Sequence, residues 1–204
     1  EVPLAASMGV CPEGSADAWP GTEGDPALPL LDSLNRQSRH IDIFNRGRQP
    51  FSYTASSDAP WIIVRTPHGT VEKETRLQVE IDWKRAPVGR ADAVVRIQGS
   101  TGESVAVRVP TLRPPSVTRE TLDGFAEAEG CVSIEAEHFS KNVPSGQARW
   151  EKIEGYGRTL SAMSILPMTA SSVPPPADSA RLEYRMYLHD PRTATVPLSV
   201  APTL

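Results

Sequence analysis

The sequence is short of most features that announce an activity. It carries two cysteines, Cys11 and Cys131, in 204 residues. Two are too few for a disulfide scaffold, and no bridge between distant positions follows from spacing; the expectation is two buried free thiols. Charge of one sign is lacking too: 21 basic and 25 acidic residues leave a net charge of −4. They are interspersed, which excludes the electrostatic footprint of a nucleic-acid or anionic-membrane partner. No apolar run approaches the roughly 20 residues of a membrane span. The opening EVPLAASMGV has no basic region and does not read as a signal peptide.

Catalytic signatures are missing as well. There is no serine-nucleophile elbow, no glycine-rich phosphate loop and no zinc-helix motif. His40, His68, His138 and His189 are scattered without metal-ligand spacing. A stand-alone (β/α)₈ sugar hydrolase needs about 250 residues and alternating strand and helix patterns; this chain has neither. No internal repeat is evident.

What the chain does have is proline, twenty residues of it, about twice the ordinary share. The prolines fall in connections such as Arg113-Pro114-Pro115 and Val173-Pro174-Pro175-Pro176, which suits an all-β protein with stiff linkers. With 39% hydrophobic residues, one large or two small cores can be built.

Residues 1–35 read as a loop-rich lead-in, because Pro12, Gly14, Pro20, Gly21, Gly24, Pro26 and Pro29 punctuate them densely. From 36 to 112 short alternating segments follow: 39–44, then Phe51, Tyr53 and Ala55, then 61–65. Leu77, Val79, Ile81 and Trp83 recur at every second residue, the cleanest strand pattern in the chain. Segments 93–98 and 104–109 flank Gly99-Ser-Thr-Gly102 as a hairpin. These strands predict a small immunoglobulin-like β-sandwich, with Trp61 and Trp83 in its core.

Residues 113–130 read as a linker, with one helical turn conceivable within 118–128. A second β segment spans 131–204, with strands expected at 131–139, 148–153, 161–167, 181–188 and 193–200. Five strands are few for a closed sandwich, so this domain is expected to be cut short.

In CVSIEAEHFS, 131–140, strand alternation would put Glu135 and Glu137 on one face. The leading reading is a solvated sheet face. Two like charges at i and i+2 repel, and a cation between them would relieve this, so a structural calcium is the second reading; calcium needs six to eight oxygens, of which these are a part. A catalytic acid–base pair is the third, with nothing nearby to supply a cleft. Trp150 and Tyr156 lie beside a glycine-bounded turn and are candidates for a carbohydrate-contact surface. Arg158, in GYGRT at 155–159, could clamp a carboxylate bidentately, or be an ordinary surface arginine.

Several stretches in order are more specific than any one motif: MGVCPEGS at 8–15, WPG at 19–21, RQSRHIDIFNRG at 36–47, VEIDWKRAP at 79–87, VSIEAEH at 132–138, GYGRTLS at 155–161, LEYRMY at 182–187 and LSVAPTL at 198–204. Together they resemble the C-terminal part of glycoside hydrolase family 115. Those are secreted or cell-surface α-glucuronidases that remove glucuronic acid or its 4-O-methyl ether from xylan side chains. The resemblance implies an extracellular, non-catalytic accessory region: an immunoglobulin-like β-sandwich followed by a second, incomplete jelly-roll-like β-sandwich. It implies as partners an upstream catalytic barrel of the same enzyme and glucuronoxylan or a related polysaccharide, with homodimerisation as a further role. It also implies further strands beyond Leu204. The segment IEAE at 134–137 is similar to the opening strand of carbohydrate-binding modules of families 6 and 35, which would make Glu135 and Glu137 ligands of a structural calcium. An independent carbohydrate-binding module and a plain surface or spacer module are the competing readings.

Overall fold

A computed structural model describes residues 2–171, 173–174, 179–190 and 193–200. It is all-β, and it divides into two compact units, Glu1–Leu122 and Asp123–Leu204.

In the first unit, two sheets face each other. One has the order β1(Met8–Pro12), β3(Arg39–Asn45), β7(Glu74–Ile81), β5(Ile62–Arg65). The other runs β2(Leu31–Asp32), β9(Ser104–Arg113), β8(Gly89–Gly99), β4(Phe51–Ser57), β6(His68–Val71). The period-2 pattern decides which face of each strand is buried. Phe51, Tyr53 and Ala55 on β4, Leu77, Val79 and Ile81 on β7, Ala93, Val95 and Ile97 on β8, and Val105, Val107 and Val109 on β9 all point inward and are buried. Each fully buried aliphatic side chain contributes about 1.5–3 kcal/mol of hydrophobic free energy, and they form one contiguous cluster. Trp61 belongs to that cluster; Trp83 lies past the end of β7 and packs on it half-buried.

The long β8–β9 hairpin keeps its register from Gly89↔Arg113 to Gln98↔Ser104. Its turn closes with the Gly99 amide donating to the Glu103 carbonyl at 2.9 Å, and Gly102 takes φ +99°, a conformation that glycine adopts without Cβ strain.

The loop-rich reading of 1–35 misses ordered structure. β1 pairs with β3 from Met8↔Asn45 to Pro12↔Ile41, and Met8 and Val10 are completely buried. Leu28, Leu31 and Leu34 join the buried residues. Proline and glycine density describes the connections here, whereas a short strand gains its identity from a distant partner. β2 and β6 escape the sequence for the same reason. Asp32 is a polar side chain only 1% exposed. Its Oδ1 accepts the amides of Leu34 at 2.9 Å and Asn35 at 2.7 Å, and its Oδ2 accepts Asn35 Nδ2 at 2.9 Å and Gln37 Nε2 at 2.7 Å. A buried carboxylate is tolerated only with such partners.

In the second unit the strands are shorter and form three two-stranded sheets. β10(Phe125–Ala126) pairs parallel with β15(Met186–Tyr187), β11(Lys141–Val143) antiparallel with β14(Arg181–Glu183), and β12(Arg149–Ile153) antiparallel with β13(Ala162–Leu166). The expected strands at 148–153 and 161–167 are β12 and β13. The one expected at 181–188 is broken into β14 and β15. Residues 118–122 make a single hydrogen-bonded turn, the Leu122 amide donating to the Thr118 carbonyl at 2.8 Å, with no helix.

Two expected strands do not form. Residues 193–200 are exposed and take no strand pairing, although Val196, Leu198 and Val200 alternate; the closing 201–204 lie outside the described residues, as do Pro175 and Pro176. Residues 131–139 are not a strand either. Cys131 forms an isolated bridge with Ala128 across Glu129 and Gly130, both at positive φ. The chain then runs unpaired until the His138 amide donates to the Glu135 carbonyl at 2.9 Å, closing a turn. Alternation specifies a face only where a neighbouring strand supplies the ladder, and none does so here. Both cysteines are free, but Cys131 is exposed and Cys11 half-buried, so neither is the buried thiol expected.

Candidate functional site

The hairpin β12–β13 carries the candidate contact residues. Trp150 sits on β12 opposite Ile165. Its indole N–H donates to the Ala180 carbonyl at 3.0 Å, and its own carbonyl accepts Asn142 Nδ2 at 2.8 Å. The ring is half-buried. Trp150 therefore ties the hairpin to the chain entering β14 and to β11, and its polar group is already engaged.

Beyond β12 the chain turns through 154–161. Gly155 takes φ +67°, and a Cβ on Gly157 would sit 2.7 Å from the Ser161 carbonyl oxygen, closer than real Cβ contacts. Glycine is thus favoured at the first position by its conformation and demanded at the second by lack of space. The Gly157 amide donates to the Leu160 carbonyl at 3.1 Å, the Thr159 hydroxyl donates to Glu135 Oε1, and Ser161 is buried. The turn is closed from inside and anchored at its base. It presents Tyr156, 64% exposed, and Arg158, also exposed.

Glu135 and Glu137 do not share a strand face, because they belong to the turn that replaces the strand. Glu135 is committed to Thr159. Glu137 lies 3.8 Å from His138 Nε2, and its Oε2 is buried with no hydrogen-bond partner. That lone acceptor is suited to a cation, but calcium needs six to eight oxygens. Among the described residues no group of three or more His, Cys, Asp or Glu is gathered to hold a metal ion. The pair does not by itself fit a calcium site.

A charged network absent from the sequence reading lies in the first unit. Glu13 Oε1 pairs with Arg39 Nη1 at 2.8 Å; Glu13 Oε2 accepts the His40 amide at 3.0 Å and faces His40 Nδ1 at 2.8 Å. Burial pushes the Glu13 carboxyl up, but the hydrogen bonds from Arg39 and the His40 amide, with the charges of both residues, outweigh it and hold the pKa below its ordinary value. Asp42 meets Arg76 bidentately at 2.7 and 3.1 Å from the opposite strand. On the same sheet Cys11 faces Asp42, and burial first, then Asp42 and Asp17, push its thiol pKa up, which makes it a poor nucleophile. The network locks the lead-in onto β3. Only the Asp42–Arg76 register was available from sequence, once both strands are paired.

The fold defines an all-β protein with one complete sandwich and one loosely built β unit. Residues 124–204 match the model of the glycosyl hydrolase family 115 C-terminal domain, a similarity that falls on the second unit. No curated protein matches the sequence. Among solved structures, a Bacteroides ovatus GH5 xyloglucanase in complex with a XXXG heptasaccharide is similar at 16% identity, covering 42% of this chain and 17% of that one, with TM-score 0.31. The periplasmic chaperone SfaE is similar at 9% identity over 46% of this chain and 57% of its own, with TM-score 0.36. A Salmonella enterica SafA pilin in complex with the SafB chaperone is similar at 12% identity over 72% and 66%, with TM-score 0.36. The chain spans less than two thirds of the length of the first two. These likenesses are of backbone shape and bear on nothing further.

Proposed function

We propose that the chain is a non-catalytic accessory region of a secreted α-glucuronidase that removes glucuronic acid or its 4-O-methyl ether from xylan side chains. The observation that carries this reading is the match of residues 124–204 to the family 115 C-terminal domain. In this reading a catalytic barrel of the same enzyme supplies the reacting carboxylates, and Glu135 and Glu137 are structural. The turn at 154–161 contacts polysaccharide through Tyr156 and Arg158, with Trp150 holding the hairpin behind it. The test compares this chain with the full-length source polypeptide on glucuronoxylan. Release of glucuronic acid by the full polypeptide and none by this chain is expected. A source polypeptide that lacks a catalytic domain, or hydrolysis by this chain alone, overturns the reading.

A second reading, an independent carbohydrate-binding module, is favoured by the exposure of Tyr156 on the turn that follows β12. It predicts retarded migration of the isolated chain in xylan-containing gels, lost in Tyr156→Ala.

A further inference from the structure

The run 181–187 leaves one of its two edges open. β14 and β15 each belong to a two-stranded sheet, and their partners lie on the same side. The carbonyls of Glu183, Arg185 and Tyr187 accept the amides of Ser140 at 2.7 Å, Phe125 at 3.1 Å and Glu127 at 2.9 Å. In an extended chain the polar backbone groups of alternate residues point to one side, so the odd-numbered residues face β10 and β11. The other edge belongs to Leu182, Tyr184 and Met186, and among the described residues no strand pairs there. Trp150 meets the chain at Ala180, before β14 begins. After five intervening residues, 193–200 reads Thr-Ala-Thr-Val-Pro-Leu-Ser-Val, apolar side chains falling on the even positions. That stripe has no cover in the structure: Val196 is 68%, Leu198 80% and Val200 82% exposed.

We infer that 193–200 is a strap that folds back along this open edge as an antiparallel strand, with Thr193 opposite Tyr187. Two independent features select that register. The first is the side-chain pattern. Met186 then faces Ala194, Tyr184 faces Val196 and Leu182 faces Leu198, while Arg185 meets Thr195 and Glu183 meets Pro197. A slip of one residue either way sets Val196 and Leu198 against the charged side chains of 181, 183 and 185, and turns the stripe to the other face. The second is proline, which has no N–H to donate and is confined to outward-facing positions of edge strands. In the stated register 194, 196 and 198 turn their amides to the open edge and Pro197 faces away. The same slip in either direction would make Pro197 a required donor. The five residues between the two strands lie within the usual length of a hairpin loop. Directly opposed side chains sit roughly 4.5–5.5 Å apart, so the stripe is covered by Leu182, Tyr184 and Met186. An open edge is a template for pairing with another chain. The strap governs that edge: it is closed when 193–200 lies on it and available when the strap is lifted, as it is in this structure.

Residue-resolved amide hydrogen exchange on the whole chain tests the strap. The amides of Ala194, Val196 and Leu198 are expected to exchange at least about tenfold more slowly than unstructured amides, while those of Thr195 and Ser199, which point away, exchange freely. Free exchange throughout 193–200 overturns the strap, and so does protection at Thr195 and Ser199 in place of the three named. Protection that vanishes on dilution assigns the edge to a second copy and overturns it too. A second measurement uses the chain with Cys11 and Cys131 replaced by serine. Arg185→Cys with Thr195→Cys sets two thiols at an opposed pair of the close-spaced kind, where the backbone separation suits a disulfide, and an intramolecular crosslink is expected. The Arg185–Asp123 pair lost in that variant is exposed and contributes little. Arg185→Cys with Val196→Cys puts the thiols on opposite faces, and no crosslink is expected. Equal crosslinking of both pairs, or of neither, overturns the register.

Discussion

The two units are built from the same kind of strand pattern but reach different degrees of closure. In the first, every inward position of β3, β4, β7, β8 and β9 finds an opposing sheet, and the buried apolar residues of the described chain all belong to it. Among the described residues of the second, those that are buried are Glu127 and Ser161, both polar. Several of its apolar side chains stay exposed: Ile165 at 39%, Leu166 at 37%, Ile153 at 41% and Met186 at 44%, while others such as Phe125, Trp150 and Leu182 reach half-burial. The exposed Ile165 and Leu166 are adjacent on β13 and so lie on opposite faces of one hairpin. A two-stranded sheet is marginal by itself, and a third strand or a covering layer is what makes it stable. The difference teaches that alternation of apolar residues is only an offer of burial. A second layer must accept it before the pattern becomes stability.

Four substitutions test this contrast between the units. The largest effect is expected at Leu77, fully buried on β7. Leu77→Ala should cost about 2–5 kcal/mol in urea unfolding, the lost burial plus the cavity left behind. A cost near zero would mean that the first sandwich is no better packed than the second unit.

Next comes Asp32→Ala. It strips acceptors from the buried Leu34 and Asn35 amides and should cost about 2–3 kcal/mol, with Asp32→Asn recovering part because it keeps an acceptor oxygen. Equal losses from Ala and Asn would argue that charge, rather than hydrogen bonding, holds that turn.

Glu13→Gln should cost about 1–2 kcal/mol at neutral pH, because Arg39 is buried beside it. The pH dependence has a definite sign. The folded-state pKa lies below the ordinary 4.5, so the contribution is complete above that value and is lost as pH falls through the lowered one. Unfolding midpoints of wild type and variant should therefore converge in acid, and parallel curves would remove Glu13 from the account.

The smallest effect is expected at Ile165. Ile165→Ala on the 39% exposed strand position should stay within about 0.5 kcal/mol. A loss as large as that at Leu77 would show that β13 is covered in solution.

Much of the first unit is legible in the sequence. The run Leu77, Val79, Ile81 and the triplet Phe51, Tyr53, Ala55 name their strands and their buried faces directly, and Gly102 marks the hairpin turn. β1 is not legible, because five residues interrupted by glycine and ending in proline carry too little pattern, and only β3 makes them a strand. At the candidate site, GYGRT names a turn and its display of Tyr156 and Arg158. It does not reveal that Trp150 spends its N–H on Ala180, or that Glu135 anchors Thr159 across 24 residues.

The all-β class, the alternating faces of the long strands, the glycine-dependent turns and the resemblance of the C-terminal region to a known family were all set by the sequence alone. These are local properties: side-chain period, backbone conformational freedom and ordered motifs. The tertiary structure alone decided that 8–12 is a strand, that 131–139 is not, and that Arg158 is left without a partner where its neighbouring arginines are paired. Each of those depends on what lies across a sheet or a turn, and hydrogen-bond ladders and ion pairs are made between residues that sequence spacing does not bring together.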